Sequence, residues 1–178
     1  MKFRLILTLL ILCAVTSCSY NPKSRIAHEV KSLTGKEIQF PQCEILNDTN
    51  TTLLQDIISP EKIKIITYLS QPPCTPCIFT MLKDWEGEVE NNLGDNIKYI
   101  IILKSNDRQS IIDAINLYQF SSPVLRYNND VFEEKNGLRV LARNRTLLLD
   151  KNNKVIAVGE PFGNDRMWNL YKKAAGLL

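Results

Sequence analysis

Cys74-Thr75-Pro76-Cys77 stands between a strongly apolar, β-branched run at residues 63–69 and a stretch of helical periodicity at residues 78–90. That succession constrains the fold more than any other feature of the chain. Ile63-Lys64-Ile65-Ile66-Thr67-Tyr68-Leu69 has the composition of a strand covered on both faces. Beyond the cysteines, Ile78, Met81, Leu82, Trp85 and Val89 recur at helical spacing. A buried strand that feeds an amphipathic helix requires a sheet with helices packed on its faces.

The position of the cysteines has a chemical consequence. A helix N-terminus carries partial positive charge and unpaired N–H groups, so it favours a thiolate over a thiol. A strand, a short loop and Cys-x-x-Cys at a helix start is the setting of thiol–disulfide exchange. Cys74 then reads as the attacking thiol, and Cys77, one turn in, as the thiol that resolves the mixed disulfide. Pro76 falls near the first helical position, where its missing N–H costs nothing. Thr75 and Pro76 together tune the balance of disulfide against dithiol. The competing reading is an inert, permanently closed disulfide. A metal site needs more ligands than the chain offers nearby: His28 is the single histidine, far away in sequence, and Cys43 is the other thiol outside the leader region. No metal and no cofactor are expected.

The chain opens with Lys2 and Arg4, then an apolar stretch at residues 5–15 that is too short to span a bilayer comfortably. Val15-Thr16-Ser17-Cys18 resembles the lipobox of bacterial lipoproteins. The resemblance implies a signal peptide at residues 1–17, cleavage before Cys18, and diacylation of Cys18 as a bilayer anchor. Ser19 after the cysteine points to the outer membrane, facing the periplasm. An ordinary secretory signal or an uncleaved anchor are the alternatives. Residues 18–35 then form a lipidated terminus, tether and short helix, and residues 36–178 one domain. The chain carries 22 basic and 19 acidic residues; loss of Lys2 and Arg4 leaves 20 against 19, a net charge of about +1. Such a balance makes no case for a nucleic-acid partner. Export places the chain where disulfides persist. Of five cysteines, Cys13 leaves with the leader and Cys18 is taken by lipid, so Cys43, Cys74 and Cys77 remain.

Along the rest of the chain, Ser24 caps a helix at residues 25–33 that stops at Gly35. Residues 36–40 alternate as a strand, and residues 51–58 are ambiguous. Residues 97–103 form a second buried strand, and residues 107–118 a helix with Ile111, Ile112 and Ile115 on one side. Residues 121–137 are loop-rich. Residues 146–149 and 154–158 are strands joined by the turn Asp150-Lys151-Asn152-Asn153, and residues 165–175 close as a helix. From the central strand the order is β-α-β-α-β-β-α, which implies a mixed sheet.

This order, with Cys74-x-x-Cys77 after the first buried strand, resembles the thioredoxin fold from about Lys36 to the C-terminus. The lipidated extension is similar to envelope-anchored TlpA/ResA-type proteins, as is the hairpin 146–156. The resemblance implies an α/β thioredoxin-like fold, a mixed central sheet flanked by helices, with an N-terminal extension. It also implies a protein-disulfide oxidoreductase, by family a reductase. Its partners would be envelope proteins with thiols or disulfides, a membrane electron donor or acceptor, and the bilayer through Cys18. The chain departs from the family pattern in places. Pro73 replaces the usual aromatic before the first cysteine, while Thr75-Pro76 keeps the family's proline. The loop position that faces the cysteines, where the family has a cis-proline, counts to Asn144 in Arg143-Asn144-Arg145-Thr146; Pro123 precedes a different segment. Arg143 and Arg145 flank that loop, as aids to a thiolate or as solvated side chains. Residues 63–69 contain no acid to accept a proton. A peroxidase of the peroxiredoxin type would want Thr or Ser where Gln71 stands. These departures leave a rival reading, a non-catalytic thioredoxin-like binding or scaffold lipoprotein with a structural disulfide. Cys43 reads as a third redox thiol, a partner-linking thiol or a small buried apolar residue, the last being favoured. Trp85, Trp168 and Tyr171 read as core, and His28 as surface.

Overall fold

The computed structural model describes residues 22–47, 53–70, 75–138 and 144–178. The leader, Cys18 and the first cysteine of the motif lie outside these residues. The chain divides into two units, Met1–Lys31 and Ser32–Leu178. The described part of the first is helical and belongs to α1 (Pro22–Leu33).

In the second unit the strand of residues 63–69 forms as expected. It is β2 (Ile63–Ser70), with every residue from Lys64 to Leu69 buried. Its β-branched side chains suit a pleated surface covered on both sides. Lys64 belongs to this buried run because its aliphatic stem packs inside while Nζ donates to the Lys151 carbonyl at 3.2 Å. On one side β2 pairs in parallel with β3 (Ile97–Lys104), from Ile63 opposite Ile97 to Ser70 opposite Lys104. On the other side it pairs antiparallel with β5 (Asn144–Leu149).

The complete sheet has six strands in the order β1-β4-β3-β2-β5-β6, with β1 (Glu44–Ile45), β4 (Val124–Tyr127) and β6 (Val155–Val158) completing it. Strands β2, β3 and β4 run parallel, while β1, β5 and β6 supply antiparallel partners. The crossovers β2–β3 and β3–β4 step in the same direction, so right-handed connections place their helices on one face. Those helices are α3 (Thr75–Leu93) and α4 (Arg108–Tyr118), and the final helix α6 (Asp165–Ala174) joins them in one apolar cluster. The opposite face is covered by Leu33, Ile38, Ile57 of α2 (Leu54–Ile57), Phe132 of α5 (Val131–Asn136), and Leu138.

Two expectations are corrected here, and one ambiguous stretch is resolved. Residues 121–137, expected as loop-rich, contain both β4 and α5. Four strand residues between Ser-Ser-Pro and Asn-Asn-Asp carry too little local signal; pairing with β3 and β1 makes them a strand. Residues 36–40 form one bridge, Glu37 to Lys154, instead of a strand. The next backbone groups, those of Gln39, are taken by the buried Asn136 amide. Residues 51–58 contain the short α2, where the Asp56 carboxylate accepts from the Leu53 N–H.

Candidate active site

The helix α3 is fixed along its length. Phe79, Leu82, Trp85, Val89 and Leu93 are buried in its apolar stripe. Trp85 stacks on Phe162 with ring centroids 4.1 Å apart. Glu86 accepts from the backbone N–H and the hydroxyl of both Ser121 and Ser122. Burial alone would raise the Glu86 carboxyl, but hydrogen bonds from Lys83, Ser122 and Ser121 outweigh it and hold the group below the ordinary carboxylate range. Glu88 accepts from Gly163 N–H at 3.0 Å and from the Trp168 indole at 2.9 Å. The helix is therefore bolted to α4's end and to the segment before α6.

Its N-terminal turn lies at the edge where β2, β3 and β4 end. Thr75 and Pro76 occupy the first two helical positions, where the proline disrupts no helical hydrogen bond. Cys77 is third and solvent-exposed. Cys74 and Pro73 lie outside the described residues. Asn144 and Arg145 have their backbones in β5, opposite Leu69 and Tyr68 of β2. The counted position Asn144 thus meets the end of the strand from which the chain departs towards Cys74. Among the described residues every peptide bond is trans.

A group of side chains that sequence reading did not single out sits at this same end. Tyr68 donates its hydroxyl to Glu133 Oε1 at 2.5 Å, the Ser70 hydroxyl bonds the same carboxylate, and Lys104 donates to Glu133 Oε2 at 3.3 Å. Lys104 also pairs with Asp130. Burial alone would raise the Glu133 carboxyl; hydrogen bonds from Tyr68, Ser70 and Lys104 hold it below its ordinary value. Burial, together with the Glu133 carboxylate, pushes the Tyr68 phenol up. The Asp130 contact holds Lys104 protonated despite partial burial. Strand alternation places Tyr68 and Ser70 on one face, but nothing local in the sequence points to Glu133, 65 residues from Tyr68.

Cys43 is half-buried against the second apolar cluster, with its thiol in hydrogen-bond contact with Tyr127. Tyr127 itself donates to the Pro41 carbonyl at 2.9 Å. Burial raises the Cys43 thiol, and the Tyr127 contact offsets that in part. A surface cavity of about 360 Å³ adjoins it, lined also by Glu44, Arg126, Asn128 and Asn129. Cys43 belongs to the β1–β4 side of the sheet, with β3 between β4 and β2. Among the described residues no group of three or more His, Cys, Asp or Glu side chains is placed to hold a metal ion.

No protein-family model and no curated protein matches the chain. Solved structures do. A DsbF homologue from Corynebacterium diphtheriae is 18% identical, with a TM-score of 0.58 over 77% of this chain and 85% of its own. The thioredoxin domain of a thiol-disulfide oxidoreductase from Bacteroides vulgatus is 15% identical, with a TM-score of 0.57 over 80% of this chain and 97% of its own. A chain from Chlorobium tepidum described as a thiol:disulfide interchange protein DsbE is 13% identical, with a TM-score of 0.55 over 80% and 98%. The mixed six-stranded sheet flanked by helices is accordingly a thioredoxin-like fold.

Proposed function

We propose that this protein is an envelope-anchored thiol–disulfide oxidoreductase that acts on disulfides of other envelope proteins through Cys74 and Cys77. The observation that carries the reading is the exposed Cys77 in the first turn of α3, the helix that follows the central strand of a thioredoxin-like sheet. Cys74 is one residue outside that helix and Cys77 two residues in, so both thiols fall within reach of the helix field.

In the reducing direction the Cys74 thiolate attacks one sulfur of a substrate disulfide. A mixed disulfide forms, the substrate S–S bond breaks, and the departing thiolate takes a proton. Cys77, deprotonated, then attacks Cys74 Sγ, closes the internal disulfide and releases the second substrate thiol. The substrate gains two electrons and two protons, and the protein loses them. A membrane-bound dithiol donor restores the pair. Cys18, acylated, holds the domain at the bilayer. No described helix is long and apolar enough to cross a membrane.

The second reading, a binding module with a structural disulfide, draws on the absence of proline at Asn144, the first residue of β5. One measurement separates the two: the reduction potential of the Cys74–Cys77 pair in the chain carrying Cys18→Ser, equilibrated in thiol–disulfide buffers and trapped for intact mass. A reversible transition between about −120 and −270 mV supports exchange. A pair still oxidised below about −300 mV is structural.

A further inference from the structure

The final helix faces two ways. On its inner side Trp168 and Tyr171 of α6 are buried; the Trp168 indole donates to Glu88 at 2.9 Å, and the Tyr171 hydroxyl donates to the Gly159 carbonyl at 2.7 Å. These contacts fix α6 against α3 and the end of β6, and so decide which side is left outside. At about 3.6 residues per turn, the opposite side carries Arg166, Asn169, Leu170 and Lys173, all of them exposed. The single acid of the helix, Asp165, lies in the first turn, to the side of this stripe. Leu170 is 48% exposed between the two cations. None of the ion pairs among the described residues uses Arg166, Lys172 or Lys173.

The stripe continues past the helix. Gly176 is in the left-handed region (φ 72°); its N–H donates to the Lys173 carbonyl at 3.2 Å, and the Leu177 N–H donates to the Lys172 carbonyl at 2.9 Å. This double closure fixes the backbone of Leu177 at the last turn, with the side chain still 43% exposed. One exposed leucine is ordinary on a protein surface. Leucines set in a row with unpaired cations are the pattern of a helix that lies in a bilayer interface, apolar groups among the acyl chains and cations at anionic headgroups.

The chain also arrives from Cys18 at this edge of the sheet. Gly35 N–H donates to the Val155 carbonyl at 2.8 Å, and Val155 N–H donates to the Lys36 carbonyl at 2.9 Å. The incoming segment thus pairs with β6, the edge strand that leads into α6. Between Cys18 and Gly35, α1 accounts for 12 residues, roughly 18 Å of helix, and the remaining few add at most about 18 Å. A bilayer that holds Cys18 therefore meets this edge at high effective concentration, where a weak contact suffices.

We infer that the outward side of α6, with Arg166, Leu170 and Lys173 continued by Leu177, is a docking surface for an anionic lipid bilayer. The inference rests on the anchored reading above. The contact lays the β6 edge of the domain on the membrane, where the tether alone would let it swing.

The test uses the full chain, isolated from membranes and reconstituted in vesicles of phosphatidylcholine, alone or with phosphatidylglycerol added. Both vesicles contain a phospholipid with a photoactivatable diazirine at its headgroup, and lipid adducts are mapped by peptide mass. Adducts on residues 166–178 should be at least about fivefold more abundant with the anionic lipid. Arg166→Glu combined with Lys173→Glu should lower them about tenfold, and Leu170→Asn about threefold. Lys135→Glu, at an exposed cation of α5, should change nothing. All four positions are exposed, so circular dichroism should show every variant folded. Equal adduct yields with and without the anionic lipid overturn the inference, as does a yield that the α6 substitutions leave untouched. Concentration-dependent dimers in detergent that Leu170→Asn dissociates would give the face to a second copy, and overturn it too. Intact mass of the same sample reports Cys18 separately: an unmodified thiol ends the acylation reading, while the adducts on α6 still decide the docking surface.

Discussion

The hydroxyls of Thr67 and Thr146 lie 3.2 Å apart in the buried centre of the sheet, on opposing residues of β2 and β5. Tyr99 donates its phenol to the same Thr67 oxygen at 3.2 Å. A one-residue slip of β5 would turn Thr146 to the other face and leave buried hydroxyls without partners. The pair therefore sets the register that brings Asn144 opposite Leu69.

Thr67→Val removes this shared partner and leaves the buried Tyr99 hydroxyl unsatisfied. The expected cost is about 1–3 kcal/mol, read as a lowered urea midpoint with an unchanged slope. Adding Tyr99→Phe should recover part of that loss, since no orphaned phenol then remains. A midpoint that does not move in the single variant would show that the hydroxyls do not contribute.

The cysteine variants have opposite signatures. Cys77→Ser should accumulate a mixed disulfide, because nothing resolves the bond at Cys74; intact mass would show the protein plus one substrate thiol. Cys74→Ser should form no adduct at that pair and exchange nothing, with the fold unchanged. Adduct formation by Cys74→Ser in place of Cys77→Ser would reverse the roles assigned to the two thiols.

Glu86 predicts a stability difference that depends on pH. Its carboxyl in the folded protein lies below the ordinary glutamate value of about 4.3, so the contribution is complete above that value and is lost as pH falls through the folded-state pKa. Glu86→Gln should therefore be less stable than wild type near pH 7, and the gap should narrow below about pH 4. Denaturant titrations of both proteins at pH 7 and pH 3 check the sign.

Cys43 should be slow to alkylate. Burial keeps its thiol protonated at neutral pH, and the thiolate is the reactive form. In reduced, folded protein, iodoacetamide mapped by peptide mass should label Cys77 well before Cys43, and urea should abolish the difference. Equal native rates would place Cys43 among the redox thiols.

Local pattern made half of this architecture readable in advance. The strand β2 and helix α3 are long and periodic, so their apolar residues declare them, and the turn at Asp150 is marked by its composition. Inside α3 the stripe is centred differently than expected, since Phe79 is fully buried while Ile78 and Met81 are partly so. What stayed hidden depends on distant partners. β4 is four residues with strong turn formers on either side, and it is a strand because β3 and β1 flank it. Glu133 looked like one acid in a loop. Its importance comes from Tyr68, Ser70 and Lys104, which no spacing along the chain brings near it.

The amide of Asn136 bears on how the molecule avoids its own kind. It accepts from the Gln39 N–H at 2.9 Å and donates to the Gln39 carbonyl at 2.8 Å, as a neighbouring strand would. An extended segment that has just left its bridge to Lys154 would otherwise offer those two groups to any passing chain. Here a side chain occupies them, so a second molecule finds no template at that point and strand-by-strand aggregation is denied one of its starting places.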